Sequence, residues 1–248
     1  KIAFCGYHGW NDWYLAANLS SESHLDGHLL PGLEPLGVPR GLLGTAVPFH
    51  YNNIDELEKI FKENKDVGVI VLEPIRHDEP KKGFLESVRL IANKNKAVLI
   101  FDEVTVGFRL TQGGSHLLYK VDPDIAVFGK AISNGYAMAA IVGKKQIMDF
   151  AQRTFISSTA WTERIGPVAA LATIEKLKKK RVQEHIKKIG NKLIIGYRKL
   201  AIKHSLKLEV QGPPSMISIK FKYPKRNFIK TFFVQEMLKR GYLSSTLT

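Results

Sequence analysis

Five short apolar runs limit what this chain can fold into. They are Ile2-Ala3-Phe4-Cys5, Val67-Gly68-Val69-Ile70-Val71-Leu72, Ala97-Val98-Leu99-Ile100-Phe101, Ile125-Ala126-Val127-Phe128 and Ala139-Ala140-Ile141-Val142. Each has the length of a strand, and each is continuous rather than alternating, as strands are when both faces of a parallel sheet are covered. Between the runs the apolar spacing changes to three and four. Ile54, Leu57, Ile60 and Phe61 mark one helical face, and Phe84, Val88, Ile91 and Ala92 mark another, with charges opposite. Strand and helix in repetition predict an α/β domain: a mostly parallel sheet flanked by helices, with right-handed crossovers.

From about Thr162 the pattern differs. Ile165, Val168, Ala169 and Ala172 begin a helix that can reach Lys178-Lys179-Lys180-Arg181. Val182, Ile186, Ile189, Leu193, Tyr197 and Leu200 form the stripe of a second. Two strands follow, over 206–210 and 216–221, split by Gly212-Pro213-Pro214, and then a helix over about 227–240 with Gly241 as its cap. The boundaries predicted are a large domain over 1–175 and a linking helix with a partial small α+β domain over 176–248. Residues 20–44, rich in Gly and Pro, read as a long surface loop. The chain opens on Lys1-Ile2-Ala3 with neither Met nor leader, and Tyr242-Leu243-Ser244 read as the start of a strand. Its 248 residues are therefore expected to be a piece of a longer polypeptide.

Charge divides the chain. The net is +14, but residues 1–175 carry −2 and residues 176–248 carry +16. Such asymmetry raises nucleic acid as a partner. The basic stretch 176–207 holds only one aromatic, Tyr197, which lies on the apolar stripe, so stacking on bases is not provided for. The surplus reads as a solvated lysine face, with no nucleic acid and no membrane as partner. No run approaches the ~18–20 apolar residues of a membrane helix. A single cysteine, Cys5, suits a reducing compartment, and the expected location is cytoplasmic. Metal-site spacings of His and Cys are missing, as are the Gly-x-Gly-x-x-Gly and Walker loops of dinucleotide and nucleotide binders.

Ligands of open α/β sheets collect at the carboxyl ends of the strands. There the sequence puts Gly6-Tyr7-His8-Gly9-Trp10, then Glu73-Pro74, then Asp102-Glu103-Val104, then Gly129-Lys130-Ala131. A lysine on a tight turn backed by apolar residues suits Schiff-base chemistry, and a carboxylate beside it suits a protonated ring nitrogen. A tyrosine adds a flat face for stacking. These residues suggest a carbonyl cofactor with an electron-sink ring; the alternative is a buried ion pair between Lys130 and Asp102 or Glu73. Trp13 and Tyr14 read as plain core.

The strings Gly6-Tyr7-His8-Gly9-Trp10, Val71-Leu72-Glu73-Pro74, Phe101-Asp102-Glu103-Val104-Thr105-Val106-Gly107-Phe108-Arg109 and Phe128-Gly129-Lys130-Ala131-Ile132-Ser133-Asn134-Gly135 resemble the class III pyridoxal-phosphate aminotransferases, within them most nearly the glutamate-1-semialdehyde 2,1-aminomutase-like group. The resemblance implies the fold type I of pyridoxal-phosphate-dependent transferases and an enzyme acting on a small amino or keto compound, by transamination or by intramolecular amino transfer. It implies that Lys130 carries pyridoxal 5'-phosphate as a Schiff base and moves the substrate proton. Asp102 pairs with the ring nitrogen, Val104 packs on one ring face, and Tyr7 stacks on the other with His8 beside it. Glu73 is a hydrogen-bonding carboxylate near the site. Thr159 reaches the cofactor phosphate of a neighbouring subunit in a homodimer, and Arg109 is structural, in an ion pair. The family's main phosphate cradle precedes the Tyr-His-Gly string, which here begins at residue 7. The 248 residues are therefore expected to bind the cofactor weakly or not at all by themselves.

Overall fold

The computed structural model describes all residues except 22, 29–31, 76–77, 158–159 and 245–248. The chain forms two compact units, Lys1–Ile75 with Pro80–Lys180, and Arg76–Glu79 with Arg181–Thr248.

The first unit runs β1 (Ile2–Cys5), α1 (Asp12–Leu15), β2 (Ala46–Pro48), α2 (Ile54–Glu63), β3 (Val69–Leu72), α3 (Phe84–Lys94), β4 (Val98–Asp102), α4 (His116–Tyr119), β5 (Ile125–Phe128), β6 (Ala140–Gly143), α5 (Lys145–Met148) and α6 (Ile165–Lys180). Its sheet has the order β2-β1-β3-β4-β5-β6. The first five strands are parallel, so the exits of β1, β3, β4 and β5 share one edge. Alternation within each run feeds both faces. Ala3, Cys5, Ile70, Leu72, Leu99 and Phe101 pack with α2 and α3, while Phe4, Val71 and Ala46 pack with Tyr14, Ala17 and Leu25. Helix α2 starts where Asn53 accepts from Glu56 N–H, with Asp55 and Glu56 in the positive first turn. Leu57, Ile60 and Phe61 turn inward, each such burial contributing about 1.5–3 kcal/mol.

Three expectations change. The run 139–142 does not join the parallel strands. As β6 it pairs antiparallel with β5, and Ile141 and Val142 stay exposed. An apolar run encodes burial on average, not direction, and an edge strand pairs on only one side. Strand β2, only three residues ending in Pro48, is added beside β1. The stretch 20–44 is not all surface, since Leu25 and Val38 are buried.

The second unit holds α7 (Val182–Lys203), β7 (Leu208–Gln211), β8 (Ser218–Phe221) and α8 (Arg226–Lys239), with β7 and β8 antiparallel. Arg181, with φ 50°, separates α6 from α7. Gly190 is the buried point of α7. A Cβ there would lie 1.8 Å from the Pro214 carbonyl oxygen, so only glycine lets this turn of backbone approach so closely. The stripe read as the buried face of α7 stays largely open at Ile189, Leu193 and Leu200. Tyr242–Ser244 form no strand. Among the described residues no helix is long and apolar enough to cross a membrane.

Candidate active site

The exit of β1 is bent by Gly6, whose φ of 110° few other residues adopt. A side chain there would also strike Glu73, since a Cβ would lie 2.8 Å from its Oε2. That oxygen, on a carboxylate buried at the exit of β3, accepts from Tyr7 N–H at 3.0 Å. Tyr14, fully buried, donates its hydroxyl to the Gly6 carbonyl at 3.1 Å. The Tyr7 ring is thereby set against the edges of Trp10 and Tyr14.

His8 crosses to the exit of β4. Its Nδ1 lies 2.8 Å from Asp102 Oδ2 and its Nε2 lies 3.1 Å from the Cys5 carbonyl, so both ring nitrogens face acceptors. Trp13, packed on the Phe4 and Tyr14 core as expected, also stacks on the imidazole at 22°. Asp102 Oδ1 accepts from Val104 N–H at 3.0 Å, and Val104 lies close beside Gly129 at the exit of β5.

The next residue, Lys130, adopts φ 44°, an uncommon backbone for a side chain, and its Nζ donates to Thr105 Oγ1 at 2.8 Å. Sequence reasoning left a buried Lys130–Asp102 or Lys130–Glu73 pair open. In the structure Asp102 is engaged by His8 and Val104, Glu73 by Tyr7, and Lys130, an exposed residue, by Thr105.

The loop carrying Val104 and Thr105 is tied down by Glu103. This fully buried carboxylate accepts from Ser115 N–H at 2.8 Å, Ser115 hydroxyl at 3.0 Å and His116 N–H at 3.1 Å, with His116 Nδ1 at 3.2 Å. Gly107 permits the tight return, because a Cβ there would sit 2.6 Å from the Glu103 carbonyl oxygen. Arg109 departs from expectation: it forms no ion pair among the described residues, and its Nε is buried without a hydrogen-bond partner. Thr159 lies outside the described residues.

Behind Gly6, its N–H donates to His28 Nδ1 at 3.2 Å. Burial, then the neighbouring His50 and His8, pushes the imidazole down to about 4, so it accepts as the neutral ring. Burial likewise pushes the Cys5 thiol up, which removes it as a nucleophile. Thr105 and His28 thus stand beside these residues without having been singled out in the sequence. Glu103, named there only by its place after β4, gains the contacts that tie down the loop, and Trp13, read there as core, gains one to His8. The signal for Thr105 and Glu103 stood inside the string after β4; only contacts made in the fold reveal the others.

The sequence model for class-III aminotransferases matches residues 3–246. The chain belongs to that family. It is 37% identical over 238 residues to the 3-aminobutyryl-CoA aminotransferase of Cloacimonas acidaminovorans, covering 93% of this chain and 53% of that protein. It is 33% identical over 253 residues to the glutamate-1-semialdehyde 2,1-aminomutase of Caldicellulosiruptor saccharolyticus, covering 98% and 56%. This class-III chain therefore spans about half the length of the curated relatives it matches. Among solved structures it resembles the PLP internal aldimine form of FumI from Sphingopyxis sp. MTA144, with TM-score 0.86 and 23% identity over 99% of this chain and 57% of that one. An omega-transaminase from Sphaerobacter thermophilus gives TM-score 0.84 at 22% identity, covering 99% and 61%. The fold is that of the pyridoxal-phosphate-dependent transferases of fold type I.

Proposed function

We propose that the polypeptide containing this chain transfers an amino group between an amino compound and a keto compound, using pyridoxal 5'-phosphate carried on Lys130. The observation that carries the reading is a carboxylate and an amine at the exits of two adjacent parallel strands, Asp102 ending β4 and Lys130 just beyond β5. The donor set fits the cofactor: an amine for its aldehyde, a carboxylate for its ring nitrogen, and the Tyr7 ring as a flat face. When bound, the cofactor supplies a sink for the electrons of a carbanion at the substrate carbon.

The rest falls to the residues of the chain. Asp102, held by His8 and the Val104 N–H, would supply the negative charge that favours a proton on the ring nitrogen. Lys130 Nζ takes the proton from the substrate carbon and returns it elsewhere. Tyr7 and Val104 would hold the ring between them, with His8 beside Tyr7. Glu73 fixes the Tyr7 backbone through its N–H. Thr159 is assigned to the phosphate of a neighbouring subunit's cofactor, in a cytoplasmic homodimer. Residues 1–175 form the large cofactor-binding domain in this reading, and 176–248 part of the small domain.

Intramolecular amino transfer is the second reading, favoured by the named aminomutase that matches 98% of the chain. In the full-length protein, Lys130→Ala abolishes the visible absorbance of the bound cofactor together with amino transfer. An unchanged spectrum and rate would overturn the assignment. Release of a keto product without an external amino acceptor would favour neither reading, whereas strict dependence on an acceptor selects transamination over the mutase.

A further inference from the structure

We infer that Thr105 is a positioning residue for the Lys130 amine, holding it for attack on a carbonyl through a contact that is kept in both protonation states. The inference rests on the function proposed above and adds a residue to it. The contact itself is direct, Lys130 Nζ to Thr105 Oγ1 at 2.8 Å.

Both ends of that contact are held. On the Thr105 side, the loop after β4 is closed by the four groups gathered around the Glu103 carboxylate, and by Phe108 N–H donating to the Gly113 carbonyl at 2.7 Å. Phe108 in turn packs on Phe128, the last residue of β5, at 5.4 Å between ring centroids. Loop and strand exit are thus braced against each other one residue before Gly129. On the lysine side, the left-handed backbone of Lys130 is kept in place by a turn in which Ile132 N–H donates to the Gly129 carbonyl and Asn134 N–H to the Lys130 carbonyl. A strained backbone of this kind persists only where its surroundings over-determine it.

The chemistry of the partner matters as much as its position. Only the neutral amine attacks a carbonyl carbon: the Nζ–C bond forms, and the carbonyl oxygen leaves as water with both amine protons. A carboxylate touching Nζ favours the ammonium form and delays that attack to higher pH. A hydroxyl oxygen accepts from the amine in either protonation state, so the contact survives deprotonation.

The test is capture of pyridoxal phosphate by the full-length apoprotein, trapped with borohydride and read as adduct mass against pH. Thr105→Ser keeps the wild-type rate and pH profile. Thr105→Val captures about fivefold more slowly, the worth of one hydrogen bond. Thr105→Asp moves half-maximal capture upward by about one pH unit or more, as a carboxylate beside an amine does. Wild-type rate and midpoint in both the Val and Asp variants would overturn the inference, as would a Ser variant as slow as Val. Lys130→Ala separates the two claims. If it removes the adduct while the Thr105 variants behave as wild type, Thr105 alone is wrong; if it keeps the adduct, the assignment of Lys130 falls first.

Discussion

Two aspartates on neighbouring strands of one sheet are treated in opposite ways. Asp124, at the entrance of β5, accepts from Lys144 at 2.7 Å, Arg89 at 3.0 Å and Leu99 N–H at 2.8 Å. Burial works against its charge, yet those hydrogen bonds win and hold the carboxyl below its usual range. It pins β4, β5 and the segment after β6 together, and its charge is consumed in doing so. Asp102, at the exit of β4, receives a histidine and one backbone N–H, while the lysine beyond the next strand donates to a hydroxyl. Where cations are spent on a carboxylate the sheet gains rigidity; at the exit edge the carboxylate is held by an imidazole and a backbone N–H instead.

The largest expected difference between the two is in turnover. Asp102→Asn keeps an oxygen for the Val104 N–H but removes the charge, and we expect the rate of the full-length protein to fall about 10³-fold. Its melting temperature should change by only a few degrees, of order ~1 kcal/mol. Asp124→Ala is the mirror case, costing about 3–5 kcal/mol in denaturant unfolding because Arg89, its side chain only 16% exposed, loses its charged partner, with the rate per folded molecule retained. If Asp124→Ala lost activity without losing stability, the division between entrance and exit would be wrong.

Acid should separate the two edges next. His28 titrates near 4 in the fold against an ordinary 6.5, so the unfolded chain binds the extra proton first. Stability is therefore full above about 6.5 and declines as pH falls toward about 4. His28→Gln should flatten that limb in pH-dependent thermal melts. The lowered Asp124 carboxyl acts in a lower window: its contribution is present above its ordinary 3.8 and is lost as pH falls through the depressed value. The smallest effect is expected from Lys144→Ala. The lysine side chain is 58% exposed, and Asp124 keeps Arg89 and Leu99 N–H, so about 1 kcal/mol or less should go.

Much of this arrangement was legible before any coordinates. Strands β1 and β3 announce themselves because both their faces are buried, β4 and β5 carry the same continuous runs with one face buried and the other half-buried, and a strand's last residue names what stands at the ligand-binding edge. That is how Tyr7, Glu73, Asp102 and Lys130 could be gathered from four distant stretches. Direction was not legible: an apolar run such as 139–142 looks the same whether it pairs parallel inside or antiparallel at an edge. Strand β2 carries too few residues to form a pattern, and it exists because β1 offers it a partner. Leu25 hides in a Gly- and Pro-rich stretch because its burial is decided by Phe4 and Tyr14, far away in kind from any local period. The roles of Glu103 and Thr105 escaped for a related reason. Side chains that satisfy a loop or meet an amine across two strand exits leave no spacing behind.

The Glu103 carboxylate has a consequence for amide exchange. Ser115 and His116 N–H belong to a Gly-rich connection that ought to trade hydrogens with water within moments, yet both end on a fully buried acceptor. Releasing either requires exposing that charge together with the sheet edge it stands on. These two amides should exchange as slowly as those of β4 itself, moving with the opening of the whole unit. The loop that presents Val104 and Thr105 is, in that sense, a continuation of the sheet by other bonds.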